Sequence, residues 1–73
     1  MTPERLDLRG VKCPLSWART RVRLEAMATG EELELWVDDP QAVTDIPRAA
    51  EASGHHVAAV VAEPPLWRIV IEA

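Results

Sequence analysis

Tyrosine and phenylalanine are absent from this sequence, and cysteine occurs once. A single cysteine excludes an internal disulfide, so no covalent staple supports the fold; the setting this implies is a reducing one, the cytoplasm. Three tryptophans are the only aromatic side chains. Val, Leu, Ile and Ala must therefore supply most of the core. No apolar run approaches membrane-spanning length and no signal-peptide pattern opens the chain, so a membrane role is not expected. Positive charge is scarce as well: 8 basic residues stand against 12 acidic ones, a net charge of −4. Non-specific nucleic-acid binders usually carry the opposite balance, so direct nucleic-acid contact is not expected.

What is present suffices for one small domain, residues 1–73. Hydrophobic residues make up 48% of the chain, and polar residues are too closely interleaved with them for disorder. A core this thin leaves little margin of stability.

The periodicities give the order β-α-β-α-β-β. Arg5 to Leu8 alternates as a half-buried strand with Leu6 and Leu8 inward. From Pro14 to Ala28 the wider window favours a helix. Trp17, Thr20, Leu24 and Met27 follow helical spacing, Thr29-Gly30 supplies the stop, and Val22 falls off the stripe. Glu32 to Asp38 is a strand with Leu33, Leu35 and Val37 on one face and Glu34, Trp36 and Asp38 on the other. Pro47 inside a helix would cost about 3 kcal/mol. A turn at 40–44 followed by a helix from Asp45, with Ile46, Ala49, Ala50 and Ser53 inward and Gly54 at its end, avoids that cost. His56 to Ala62 and Trp67 to Glu72 are strands joined by a turn at Glu63-Pro64-Pro65-Leu66. Right-handed crossovers place both helices on one face of a mixed four-stranded sheet, with the last strand between the second and third. The expected fold is a two-layer α/β sandwich with one sheet face open. On that open face Trp36, Val60 and Val70 should form an apolar patch, with Arg68 stacked on the indole. The patch is a candidate surface for a partner or a weak homodimer.

The only cysteine falls where the first strand gives way to the first helix. Pro14 suits the first helical position, which would make Cys13 the N-cap. The free amides of the first turn and the helix dipole favour thiolate over thiol, and Arg9 and Lys12 act in the same sense. Gly10 lets the turn adopt a conformation that other residues resist. Asp38 and Asp39 should lie at the same sheet edge, either tuning Cys13 or capping the next helix. Arg19 and Arg23, with Lys12 and Arg9, are candidates for a basic rim that steers acidic partners. His55 and His56 should lie at the opposite edge, which argues against a thiol–imidazole pair. One cysteine with two distant histidines also lacks metal-ligand spacing.

The stretch Leu6-Asp7-Leu8-Arg9-Gly10-Val11-Lys12-Cys13-Pro14 resembles the start of the TusA/SirA family of small sulfur-carrier proteins. The likeness continues through Gly30-Glu31, Asp38-Asp39-Pro40, Asp45-Ile46-Pro47, Gly54-His55 and Trp67-Arg68, almost the whole chain. The resemblance implies the β-α-β-α-β-β sandwich and a cysteine, here Cys13, that carries a persulfide sulfur between proteins without a cofactor. It implies a sulfur donor, such as a cysteine desulfurase or a rhodanese-like protein, and an acceptor protein. tRNA thiolation, molybdenum-cofactor supply and sulfur oxidation all fit as outlets. Such a chain is a shuttle more than a stand-alone turnover enzyme. The family's usual Cys-Pro-x-Pro reads Cys13-Pro14-Leu15-Ser16 here. Ser16 loses a rigid residue and adds a hydroxyl at the site edge, and its N–H is expected to have no intrahelical partner. Two other classes also fit the fold: a regulatory interaction module that keeps it without sulfur transfer, and an RNA-binding module. The acidic balance and the missing Tyr/Phe platform oppose the latter.

Overall fold

The computed structural model describes residues 4–12 and 14–73. Its elements are β1 (Glu4–Asp7), α1 (Leu15–Ala26), β2 (Glu32–Val37), α2 (Pro40–Ala52), β3 (His56–Glu63) and β4 (Leu66–Glu72). The sheet order is β1-β2-β4-β3; β1 runs parallel to β2, and β4 is antiparallel to both of its neighbours. This is the expected mixed four-stranded sheet.

Alternation decides which face each strand buries. Leu33, Leu35 and Val37 of β2 are fully buried, and so are Ile69 and Ile71 of β4, whose register pairs Leu33 with Ile71 and Leu35 with Ile69. Leu24 of α1 and Ala42, Ile46 and Ala50 of α2 join the same core, so both helices cover one sheet face. With no Tyr or Phe to fill volume, each of these aliphatic side chains carries much of the packing. Truncating one to alanine costs about 2–5 kcal/mol where the cavity cannot close.

Two expectations are corrected. Helix α2 does not begin at Asp45; it starts at Pro40 and runs through Pro47. The Asp39 carboxylate accepts from the Gln41 N–H at 3.1 Å and caps the helix, and Pro40 occupies a first-turn position that needs no N–H donor. Ala42, Ile46 and Ala50 repeat every four residues and are all buried. A turn at 40–44 would forfeit Ala42, and tertiary burial across the proline outweighs local propensity. The helix closes with Gly54 at φ 90, the Gly54 N–H donating to the Glu51 carbonyl and the His55 N–H to that of Ala50. That is a Schellman ending, and it puts Ser53 in solvent at the cap instead of on the inner stripe.

The second correction is on β3. Val57 pairs with Ile71 but Ala59 pairs with Val70, so Ala58 is the extra residue of a bulge. Beyond it the alternation is inverted. Val60 opposes Ile69 on the helix side, and Val61 opposes Arg68 on the open side. The expected trio of Trp36, Val60 and Val70 is therefore not on one face.

Candidate functional site

Strand β1 delivers the chain to the site. The Leu8 N–H donates to the Trp36 carbonyl at 2.8 Å, carrying the parallel ladder one step beyond β1. The chain then turns: the Val11 N–H donates to the Leu8 carbonyl at 3.0 Å. Gly10, third of the four residues, has φ 80, and no non-glycine residue among the described residues has positive φ. That combination is the type II turn, which favours glycine at this position. Two carboxylates brace the turn. Asp38, just past the end of β2, accepts from the Gly10 N–H at 2.9 Å. Asp7 accepts from the Arg9 backbone N–H at 3.0 Å and holds the Arg9 guanidinium in a two-pronged ion pair at 2.8–3.2 Å. The Arg9 hydrogen bonds pull the Asp7 carboxyl down to about 2 and raise the guanidinium in turn.

After the turn the chain enters α1. Pro14 sits just before the helix in αR conformation, and the first turn contains no acidic residue. Ser16, Thr20 and Leu24 form the buried stripe, with Trp17 and Met27 half-buried beside it. The Ser16 N–H donates to the Lys12 carbonyl at 3.1 Å, contrary to the expectation that this amide has no partner, because the helical bonding reaches back to Lys12. The Thr20 hydroxyl donates to the Ser16 carbonyl at 2.8 Å inside the core. The N-cap is Pro14 and not Cys13, a correction to the expected helix start, because Pro14 takes the capping place and α1 proper begins at Leu15. Cys13 itself lies outside the described residues. Its neighbours Lys12 and Pro14 are both exposed.

The other candidates separate. Asp39 is the α2 cap, and Asp38 meets the Gly10 turn. Arg23 reaches Glu4 at 3.0 Å. Of the expected basic rim, Arg9 and Arg23 are thus ion-paired, while Lys12 and Arg19 have no ion pair among the described residues. His56 lies beside Glu72 at 3.8 Å, in register with Glu72 and through it with Glu32, at the start of β2. The Gly10 turn meets the other end of β2, about 20 Å away at ~3.3 Å per residue, so the histidines do not face it. No group of three or more His, Cys, Asp or Glu suited to a metal occurs among the described residues. Among the described residues, no helix is long and apolar enough to cross a membrane.

Trp36 does not head an apolar patch. Its indole N–H donates to Glu34 at 2.8 Å, and Arg5, with Arg9 farther off, lies over its ring at 4.4 and 5.5 Å, where Arg68 was expected. Arg68 instead pairs with Glu34 at 3.2 Å and with Glu63. Glu34 also holds Arg5 at 3.1 Å, and its side chain is only 14% exposed. The Trp36 hydrogen bond, then those of Arg5 and Arg68, hold the Glu34 carboxyl below its usual value. The open sheet face is a charged lattice centred on Glu34. Sequence reasoning missed Glu34, Arg5 and Asp7. The Asp7-x-Arg9-Gly10 spacing was the available signal for an aspartate-braced turn.

These features define a small α/β sandwich with an exposed turn and helix start at the carboxyl edge of a parallel strand pair. Residues 4–73 match the family model for Sulfurtransferase TusA. A protein of Archaeoglobus fulgidus named "Putative sulfur carrier protein" is 42% identical over 71 residues, covering 94% of this chain and 80% of its own length. One of the same name from Thermotoga maritima is 37% identical over 68 residues, covering 92% and 86%. Among solved structures, the SirA-like protein of Desulfitobacterium hafniense superimposes with a TM-score of 0.82 at 20% identity, covering 94% of this chain and 95% of that one. The chain belongs to the TusA family of sulfur carrier proteins. Membership of that family implies a sulfur donor and a sulfur acceptor as partners.

Proposed function

We propose that the chain is a cytoplasmic sulfur carrier in which Cys13 accepts a persulfide sulfur and passes it to an acceptor protein. In the loading step the Cys13 thiolate attacks the terminal sulfur of a donor persulfide, R–S–SH. A bond forms between that sulfur and the Cys13 sulfur, the donor's S–S bond breaks, and the donor leaves as R–S⁻. The transferred sulfur keeps its proton, so the products are Cys13–S–SH and the donor thiolate, with no net oxidant or reductant. Unloading is the same displacement, with Cys13 as leaving group. The observation that carries this reading is the family match over residues 4–73, in which the chain's only cysteine falls at the strand-to-helix turn. Three features support it: an exposed Lys12 before the cysteine, a helix start free of acidic residues behind it, and a turn pinned by Asp38. The donor is a cysteine desulfurase or a rhodanese-like protein. Arg9 acts on the site through the turn it braces with Asp7.

Labelled sulfur tests the reading. A desulfurase supplied with labelled cysteine should transfer label to the chain, prior alkylation of Cys13 should block the transfer, and cyanide should release the label as thiocyanate. Label that survives alkylation of Cys13 would contradict it.

A further inference from the structure

Helix α1 has two apolar faces, and the fold uses one. Ser16, Thr20 and Leu24 are buried against the core. Opposite them runs a row at spacings of three, four and four: Leu15, Ala18, Val22 and Ala26. Leu15 is 52% and Val22 68% exposed, and both alanines are exposed. This is the place in the structure of the valine that fits no inward stripe. The charges beside the row are sorted. Arg21 pairs with Glu25 on one flank and Arg23 with Glu4 on the other. Arg19, one turn from Leu15 and most of a turn from Val22, has no ion pair among the described residues, and neither has Lys12. Five of the eight cations (Arg5, Arg9, Arg21, Arg23 and Arg68) are neutralised within the chain, and the eighth, Arg48 on α2, also has no ion pair among the described residues. On a chain of net charge −4, two unneutralised cations border this apolar row at the end nearest residue 13.

We infer that this outer face of α1 is where the sulfur-donor protein docks, and that the donor meets it with an apolar surface rimmed by carboxylates. The inference rests on the sulfur-carrier reading. Transfer requires the donor's sulfur to come within bonding distance of Cys13. A donor so placed covers the neighbours of residue 13, and the α1 row continues from there. The row is about 17 Å long at 1.5 Å per residue. That suits a small, transient contact, as a relay that must release its partner requires. Lys12 and Arg19 supply the long-range attraction, and Leu15 and Val22 the contact.

The test compares two donors: a cysteine desulfurase charged with cysteine, and glutathione persulfide, which is too small to use the face. Val22→Glu should slow loading from the desulfurase at least about tenfold and leave loading from glutathione persulfide at the wild-type rate. Arg19→Glu should slow desulfurase loading most at low salt, the deficit shrinking as salt rises. Both positions are solvent-exposed, and Val22→Ser provides a milder change that should slow loading less. Desulfurase loading of Val22→Glu at the wild-type rate overturns the inference. So does equal slowing with both donors, which would mean that Cys13 itself was disturbed, or loading of the wild type by glutathione persulfide but not by the desulfurase. Wild type that takes sulfur from neither donor overturns the sulfur-carrier reading instead.

Discussion

Asp38→Ala removes the carboxylate that holds the Gly10 turn. In the wild type one Asp38 oxygen accepts from the Gly10 N–H at 2.9 Å. Hydrogen bonds to charged groups contribute about 1.5–3 kcal/mol in general, but Asp38 and Gly10 are both exposed and water can take the place of the carboxylate. The expected loss therefore falls below that range, at about 1 kcal/mol. For a domain of this size that corresponds to a fall in Tm of roughly 4–8 °C. Asp38→Asn keeps an acceptor oxygen in place and should recover most of the loss. Thermal denaturation of the three proteins gives the global figure, and amide hydrogen exchange gives the local one. Exchange at Gly10 should accelerate in the alanine variant more than exchange in β2 or β4, because the turn opens before the core does. An alanine variant with wild-type Tm and wild-type Gly10 exchange would refute the bracing role, as would an asparagine variant no better than alanine.

Three further outcomes follow from the same geometry. Glu34→Ala leaves Arg5, Arg68 and the Trp36 indole N–H without their shared acceptor, and should cost about 2–3 kcal/mol with a visible change in tryptophan fluorescence; an unchanged denaturation midpoint would contradict the lattice. Acid should weaken the fold through Asp7, whose carboxyl lies at about 2 against a usual 3.8, and through Glu34, held below 4.5. Both bind protons more weakly folded than unfolded, so their stabilisation is complete above about pH 4–5 and is lost as the pH falls towards 2; Asp7→Asn should flatten that loss, and parallel curves for variant and wild type would count against it. Ser16→Pro removes the Ser16-to-Lys12 hydrogen bond and a buried hydroxyl, and should destabilise by about 1–3 kcal/mol, seen as a lower melting temperature; an unchanged one would show that neither group matters.

The sheet was legible because each strand spends alternate residues on one core. Leu33, Leu35 and Val37, with Ile69 and Ile71, announce their inner face by spacing alone. The path of α2 was not legible, because the value of burying Ala42 depends on the sheet beneath it and appears in no local window around Pro47. The bulge at Ala58 was hidden for a related reason: HVAAVVAE alternates weakly, and only pairing with β4 shows where the register slips. On the open face the sequence supplied the charges, but which arginine meets which glutamate follows from the strand register. That is why Arg5, not Arg68, covers Trp36. Asp38 and Asp39 looked equivalent in the chain; a single residue's displacement makes one the helix cap and the other the brace of the turn.

The central claim is that sulfur resides on Cys13. Intact-mass measurement after incubation with a cysteine desulfurase and cysteine tests it directly, on wild type and on Cys13→Ser. Wild type should gain the mass of one sulfur atom and lose it on reduction, and Cys13→Ser should fold as wild type and gain nothing. No adduct on wild type from the desulfurase or from glutathione persulfide, or an adduct of equal size on Cys13→Ser, would contradict the account.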